Sequence, residues 1–258
     1  MRRHANGMKW ALILGLFVVF LLGGLLLIGK KSHHSNQTIS RLPQQPHQKK
    51  QTPKTSQKSE LTGLPKVSVK DWDLILVNRN NRLPELHPDV TAVAGVWVDS
   101  RIAQNVRDFL AAAQAIDPRE HLISGYRSVA YQKQLFQFYV NQEMTADNNL
   151  TEPEAVAKVE TYSQPAGASE HQTGLAIDMS TVNSLNESNP EVVAQVVALA
   201  PRYGFVLRFP RGKVAVTGVD YEDWHFRYVG QASASYMMAH HLTLEEYLDI
   251  LKGIRASE

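Results

Sequence analysis

Two histidines and one aspartate have the types and spacing of a metal-binding site. His171 and Asp178 lie in the segment SEHQTGLAID with Gly174 between them, and His225 lies far downstream in YEDWHF. Two imidazoles and one carboxylate form a common zinc ligand set, and three protein ligands leave a fourth tetrahedral position for water. Because closed structural sites fill all four positions with protein ligands, these residues predict a catalytic zinc site.

Glu222 stands three residues before His225, where its carboxylate could accept a proton from the attacking water. Asp220 and Asp223 are close by in the sequence, so the segment alone does not select the general base. The chain contains no cysteine, which excludes thiolate ligands, disulfides, a cysteine nucleophile and a lipoprotein anchor. Any zinc must therefore be held by His, Asp or Glu.

Each of these residues also has an ordinary structural alternative. An isolated histidine such as His171 or His225 is more often a hydrogen-bonded residue at a strand end than a ligand. Asp178 is harder to explain structurally, because a carboxylate within an apolar strand is costly to bury unless it is paired or binds a metal. His240 and His241 end a predicted helix and are better explained by a favourable interaction with its dipole. The joint pattern of the first three residues favours the metal site.

The hydrophobic pattern predicts the elements that position these residues. Apolar side chains alternate over 175–179, which indicates a strand with Asp178 on the face opposite the apolar one. His171 is an odd number of residues away, so it must lie on an irregular approach to that strand, with a bend at the intervening glycine. A second strand over 224–229 carries His225. Hairpin pairing of the two strands would bring the ligands together.

The rest of the pattern mixes short strands and helices without a regular βαβ repeat. We expect further strands at 72–77, 121–124 and 205–209, and helices at 102–116, 130–142, 152–162, 190–203, 232–240 and 245–251. This mixture predicts an α+β fold with a largely antiparallel sheet. Arg127 falls at a strand-to-helix turn, where side chains commonly face the end of a sheet.

The N-terminal quarter of the chain differs from the rest. Residues 10–29 form a twenty-residue run without a charge, and at ~1.5 Å per residue a helix of that length spans a ~30 Å hydrocarbon layer. We expect an uncleaved transmembrane anchor there, after a cytoplasmic segment 1–9; a cleaved signal peptide is the alternative, but no Ala-x-Ala-like site follows. Residues 30–63 predict a disordered, basic, Gln/Pro-rich linker, either a solvated spacer or a segment attracted to anionic surfaces. One folded domain is expected over 64–258.

Several motifs together resemble the zinc D-alanyl-D-alanine carboxypeptidases of the VanY type. They are SGYRS at 124–128, Gln132, SEHQTGLAID at 169–178 and EDWH at 222–225, and the resemblance covers roughly 74–251. It implies the metallopeptidase fold also seen in hedgehog signalling domains, with a small, mostly antiparallel sheet flanked by helices. The combined spacing of these motifs is specific, and no metal or base position departs from it.

The resemblance implies a role for each matching residue. His171, Asp178 and His225 would hold the zinc. Glu222 would activate water and pass its proton to the leaving amine, and Arg127 would stabilise the charge that develops on the scissile carbonyl, although a structural ion pair is its alternative. Three further residues match positions near substrate and could hydrogen-bond the peptide or its terminal carboxylate: Gln132, Ser163 and Ser169.

By the same resemblance, the chain is expected to remove the C-terminal D-alanine from peptidoglycan stem peptides, with Zn²⁺ as cofactor. Peptidoglycan lies outside the membrane, so the resemblance and the predicted span together imply a single-pass membrane protein with a cytoplasmic N-terminus and an extracellular catalytic domain. We expect the source to be a Gram-positive bacterium. The alternatives are an L,D-carboxypeptidase, an endopeptidase acting on the stem peptide, and a non-catalytic zinc-binding wall module. We expect a monomer with no nucleic-acid partner.

Overall fold

The computed structural model describes residues 63–184 and 186–255. The predicted cytoplasmic segment, the predicted transmembrane anchor and the linker up to residue 62 lie outside these residues. Within the described part of the chain, no helix combines the length and the apolar character that crossing a bilayer requires.

The strands form two antiparallel sheets. A two-stranded sheet pairs β1 (Val90–Val93) with β2 (Val96–Asp99), and a four-stranded sheet has the order β3-β4-β6-β5, with strands β3 (His121–Ser124), β4 (Ala176–Ser180), β5 (Phe205–Leu207) and β6 (His225–Tyr228). Every neighbouring pair in the larger sheet is antiparallel, which confirms the predicted α+β class. The two ligand-bearing strands, β4 and β6, are neighbours, but β5 separates them in sequence, so they are not a hairpin.

Helices flank the sheets and connect their strands. They are α1 (Ala103–Ile116), α2 (Val129–Ala146), α3 (Glu152–Val159), α4 (Pro190–Leu199), α5 (Val214–Thr217), α6 (Gln231–Ala239) and α7 (Leu244–Arg255), with 3₁₀ turns at Trp72–Leu74, Ser100–Ile102, Glu170–Thr173 and Ala200–Tyr203. The starts follow the local sequence: the side chain of Ser128 accepts a hydrogen bond from Tyr131 N before α2, and that of Asn189 accepts one from Glu191 N before α4. Such caps satisfy backbone donors that the first helical turn leaves free.

The main core lies on one face of the larger sheet. Phe109 of α1 packs against Phe205 of β5 and Phe226 of β6, with ring centroids 5.1 Å apart in both pairs. Ile177 of β4 is fully buried in the same cluster and pairs with Phe226 in register. Side chains alternate along a strand. The residue after Ile177 in β4 and the residue before Phe226 in β6 therefore point to the other face of the sheet. That face carries two of the three predicted ligands, Asp178 and His225.

The strand predicted over 72–77 is wrong. Residues Trp72–Leu74 form a 3₁₀ turn, and the residues after it pair with no strand. The carbonyl groups of Asp73 and Ile75 instead accept hydrogen bonds from Arg227 Nη2, at 3.0 and 2.8 Å. An apolar run of strand length can satisfy its backbone in this way, and its sequence does not reveal the distant guanidinium group.

The segment before β1 forms hydrogen bonds with the loops that precede β4 and α2. Leu83 N donates to Gly167 O at 2.9 Å, and Gln172 Nε2 donates to Leu83 O at 3.1 Å. The carboxylate of Glu85 accepts from Val129 N at 2.6 Å, at the start of α2. These contacts connect the loops before β4 and α2 to one extended segment of chain.

Glu120, just before β3, provides a test of how burial affects stability. Only 4% of this residue is exposed, and its Oε2 has no hydrogen-bond partner among residues 63–184 and 186–255. Burial, with a contribution from Asp117, raises the pKa of the carboxyl group to about 7. The folded state therefore binds a proton more tightly than the unfolded state does, and stability falls as the pH rises from the unfolded value, about 4.3, to about 7.

We expect Glu120→Gln to raise the free energy of unfolding by roughly 1–2 kcal/mol at pH 8 and to bring no gain at pH 4. Urea unfolding of both proteins in the presence of a chelator measures this difference without any contribution from metal binding. A difference between variant and wild type that did not change with pH would contradict the burial argument.

Candidate active site

The sheet brings two predicted ligands side by side, and a turn supplies the third. Asp178 of β4 and His225 of β6 are direct cross-strand partners. His171 lies in the 3₁₀ turn Glu170–Thr173, which ends at Gly174 with φ of +70°. A side chain at that glycine would also crowd Asp99, so the bend into β4 requires glycine there. The irregular approach expected for His171 is thus confirmed.

The three side chains form one buried cluster. Asp178 Oδ2 lies 3.3 Å from His171 Nε2, and Asp178 Oδ1 lies 3.3 Å from His225 Nδ1. One donor atom from each residue lies within 4.8 Å of the others, and all three residues are buried. The two imidazole rings are nearly perpendicular, at 82°.

The chemistry of this cluster fits zinc. Ligand atoms at ~2.0–2.2 Å from a tetrahedral zinc ion lie ~3.4 Å apart, close to the separations of Asp178 from the two histidines. Asp178 Oδ1 is buried and has no hydrogen-bond partner within the described part of the chain. Burial alone would raise the pKa of Asp178, but the two histidines outweigh it and hold that pKa well below its ordinary value. The site therefore offers an ionised carboxylate with a free oxygen.

His171 is held in a metal-binding form. Its Nδ1 lies 2.7 Å from the carbonyl oxygen of Gly125, to which it donates, so Nε2 keeps its lone pair toward Asp178. Burial, followed by the charge of Arg127, lowers the pKa of His171 to about 4, and the ring is neutral. The chain needs glycine at position 125, because a side chain there would collide with the Trp97 carbonyl group.

His225 has a different electrostatic environment. Burial alone would lower its pKa, but Asp178 and Glu170 outweigh this effect and raise the pKa to about 9. The ring therefore holds a proton tightly until a metal displaces it, as expected where metal binding releases protons from its ligands.

Glu222 lies in the loop before β6, with its Oε2 3.5 Å from His225 Nδ1. Burial raises the pKa of this carboxyl to about 8. Neither of its two rival acids, Asp220 and Asp223, forms an ion pair with a predicted ligand in the described residues, and the carboxyl of Asp223 instead lies beside the backbone amides of Ser188 and Asn186. Among these three acids, Glu222 is the one that contacts a predicted ligand.

Arg127 lies at the turn between β3 and α2, as predicted. Its backbone N donates to His171 O at 3.1 Å, and its Nη1 donates to Ser124 Oγ at 2.9 Å and lies 3.6 Å from Asp178 Oδ2. Its Nε is buried and lacks a hydrogen-bond partner in residues 63–184 and 186–255. The side chain therefore keeps a donor free beside the cluster.

The three residues predicted near substrate contact neighbouring loops and helices, and none of their described hydrogen bonds is to a predicted zinc ligand. Gln132 of α2 is buried and donates from Nε2 to Gln164 O at 2.6 Å and to Ser163 Oγ at 3.4 Å. Its Oε1 is buried without a hydrogen-bond partner in the described residues. Ser169 is buried directly before the 3₁₀ turn that carries His171. The substrate roles of all three stay predictions.

Three charged residues next to the site were missed in the sequence. Glu170 is buried beside His225, and its Oε1 accepts from Arg208 Nε at 2.8 Å and from Arg227 Nη1 at 3.0 Å. Burial alone would raise the pKa of Glu170, but the two arginines outweigh it and hold that pKa well below its usual range. The signal was available, since a charged residue in an apolar strand needs a partner, and Arg227 lies in such a strand.

A buried cluster of two histidines and one aspartate, with a glutamate and an arginine beside it on an antiparallel sheet, defines a zinc metallopeptidase site. The family model for VanY, D-alanyl-D-alanine carboxypeptidase, matches residues 95–231, which include all five of these residues. This chain belongs to the VanY family.

Individual relatives agree with this assignment. The chain is 35% identical over 185 residues to a D-alanyl-D-alanine carboxypeptidase of Enterococcus faecalis, covering 70% of this chain and 68% of the relative. It is similar to the crystal structure of a mutant of the vancomycin resistance D,D-pentapeptidase VanY in complex with Zn(II), with 34% identity, a TM-score of 0.62, and coverage of 69% of this chain and 99% of that one. The LdcB LD-carboxypeptidase is 30% identical with a TM-score of 0.55, covering 68% of this chain and 85% of that one.

These residues can divide the chemistry of peptide hydrolysis between them. Zinc bound at the cluster supplies an electrophile that polarises a carbonyl group and makes water acidic near neutral pH. Glu222 is placed to hold the proton taken from water and to release it to the leaving amine. Arg127 is placed to donate to the carbonyl oxygen as negative charge develops on it.

We expect Arg127→Met to lower kcat/KM by ~10² to 10³, because it removes a preorganised donor while leaving the zinc ligands in place. Zinc content and kcat/KM measured together separate this role from a structural ion pair. Arg101→Met is the matched control, since Arg101 pairs with the buried carboxylate of Asp99 and contacts no predicted ligand. If the two variants lost the same small fraction of activity, Arg127 would be only an ion-pair residue.

Proposed function

We propose that this chain is a zinc-dependent carboxypeptidase that removes the C-terminal D-alanine from D-Ala-D-Ala-terminated stem peptides of peptidoglycan. The observation that carries this proposal is the buried His171, Asp178 and His225 cluster with Glu222 beside one ligand. The E. faecalis relative is a D-alanyl-D-alanine carboxypeptidase, which supports the substrate. The position of Glu222 also argues against a non-catalytic zinc-binding module, which has no use for a carboxylate there.

An L,D-carboxypeptidase is the second candidate. The similarity to the LdcB LD-carboxypeptidase supports it, because the same fold and a similar sequence then carry a different specificity. The zinc chemistry is shared, so the distinction rests on the pocket that receives the residue before the scissile bond.

The test is to incubate the zinc-loaded full chain with muropeptides ending in D-Ala-D-Ala and, separately, with muropeptides ending in a single D-Ala. Mass spectrometry then reports which of them loses one alanine. We expect loss from the pentapeptide. Loss from the tetrapeptide alone would reassign the chain as an L,D-carboxypeptidase, and no loss from either, with zinc bound, would favour a wall-binding module.

We also propose that residues 10–29 anchor the enzyme in the cell membrane of a Gram-positive bacterium, with the catalytic domain outside. The uncharged run of twenty residues supports the anchor, and the external position of peptidoglycan supports the orientation. Protease treatment of intact cells tests this arrangement. The catalytic domain should be digested from outside, and its protection would contradict the orientation.

A further inference from the structure

Glu170 directs its two carboxylate oxygens to different partners. Oε1 accepts hydrogen bonds from Arg208 Nε at 2.8 Å and from Arg227 Nη1 at 3.0 Å. Oε2 lies 3.6 Å from His225 Nε2. One oxygen is therefore occupied by the guanidinium groups, and the other faces a predicted zinc ligand.

The two facing atoms have no other hydrogen-bond partner. Glu170 Oε2 and His225 Nε2 are both buried, and neither makes a hydrogen bond within residues 63–184 and 186–255. Buried polar atoms without a partner are uncommon in folded proteins. Their separation exceeds a normal hydrogen bond by ~0.7 Å, which a small rotation of the imidazole ring covers.

His171 shows what such a partner does. Its Nδ1 donates to the carbonyl of Gly125, which leaves Nε2 for the metal. His225 has the reverse arrangement, with Nδ1 3.3 Å from Asp178 Oδ1 and Nε2 toward Glu170. A metal-binding histidine commonly donates its second ring N–H to a carboxylate or a carbonyl, which fixes the tautomer and the ring orientation.

We propose that Glu170 is a positioning residue: it accepts a hydrogen bond from Nε2 of His225 and so presents Nδ1 of that ring to zinc. Arg208 and Arg227 fix the carboxylate from the side away from the ring. This inference rests on the proposed zinc site. The alternative is that Glu170 only neutralises the two buried arginines, a role that would leave zinc binding unaffected by its replacement.

Glu245 of α7 provides a matched control. It accepts hydrogen bonds from Nη1 and Nη2 of Arg208 at 3.0 and 2.6 Å, so it serves the same buried arginine. Its described contacts are with Arg208 and Asn78 and include none of the predicted zinc ligands. Loss of charge balance at Arg208 alone should therefore affect Glu170→Gln and Glu245→Gln in the same way.

The test measures the zinc affinity of the full chain and of both variants by competition with a chromophoric chelator. We expect Glu170→Gln to weaken zinc binding by about 10- to 100-fold and to alter the visible spectrum of the Co²⁺-substituted protein, whereas Glu245→Gln preserves both. If Glu170→Gln kept wild-type zinc affinity and the wild-type spectrum, the proposal would be wrong. A wild-type chain that bound no zinc would instead refute the proposed zinc site.

A second measurement needs no variant and covers the case in which Glu170→Gln does not fold. Nitrogen-15 NMR of the zinc-loaded wild-type chain reports which ring nitrogen of each histidine carries the proton. We expect the proton of His225 on Nε2 and that of His171 on Nδ1. A zinc-bound His225 with its proton on Nδ1 would overturn the proposal.

Discussion

Replacing Glu222 with glutamine should lower kcat/KM by ~10² to 10⁴ while zinc stays bound, because this carboxylate is the group placed to carry the proton between water and the leaving amine. Glutamine keeps nearly the same shape beside His225, where Glu222 Oε2 lies 3.5 Å from Nδ1, but it cannot accept that proton. Hydrolysis of a D-Ala-D-Ala peptide and metal content, measured on the same sample, check both parts of this expectation.

The control for this variant is Asp223→Asn. Asp223 is the next residue in the chain, and its carboxyl lies beside the backbone amides of Ser188 and Asn186 rather than beside a predicted ligand. We expect this change to leave kcat/KM within a few-fold of wild type. If Glu222→Gln stayed active while Asp223→Asn did not, the assignment of the general base would move to Asp223.

Loss of His171 should remove both zinc binding and hydrolysis. Replacing a residue that only contacts a metal ligand typically costs about 10- to 100-fold in metal affinity. His171 is predicted to bind the zinc directly, so we expect His171→Ala to weaken zinc binding by more than ~100-fold. Chelation of the wild type should abolish turnover, and added zinc should restore it. His171→Ala should show no recovery at the same zinc concentration.

His121→Ala is the control for His171→Ala, because it removes a histidine that is not a predicted zinc ligand. The ring nitrogens of His121 contact Arg119 O and Asn183 Oδ1, both at 2.8 Å, at the opposite end of β3 from Arg127. We expect this variant to bind zinc and turn over as the wild type does. Full activity of His171→Ala would show that the zinc site is formed by other residues.

Much of the local structure could be predicted because it depends on neighbouring residues. Alternation over 175–179 predicted β4, the odd spacing placed His171 outside the strand, and Gly174 has the positive φ that such a bend requires. The error at 72–77 has the opposite origin. That run is apolar and of strand length, but its carbonyl groups are occupied by Arg227, which is 152 residues from Ile75 in sequence.

The amino-acid sequence by itself determined the chemistry of this protein. Ligand types at fixed spacing, together with the absence of cysteine, predict a zinc site of His171, Asp178 and His225. These predictions were possible because metal preference depends on side-chain chemistry and because strand periodicity is local.

The family resemblance had already pointed to Glu222 among its neighbouring acids, but only the tertiary structure showed that this carboxylate contacts His225 and that each histidine turns a different nitrogen toward Asp178. The tertiary structure also revealed Glu170, which contacts Arg227 across 57 residues of sequence. The sequence does not show which group a carboxylate will contact in the folded chain. Which group it faces is set by strand pairing and by buried charges that must find partners, and both depend on residues far apart in the chain.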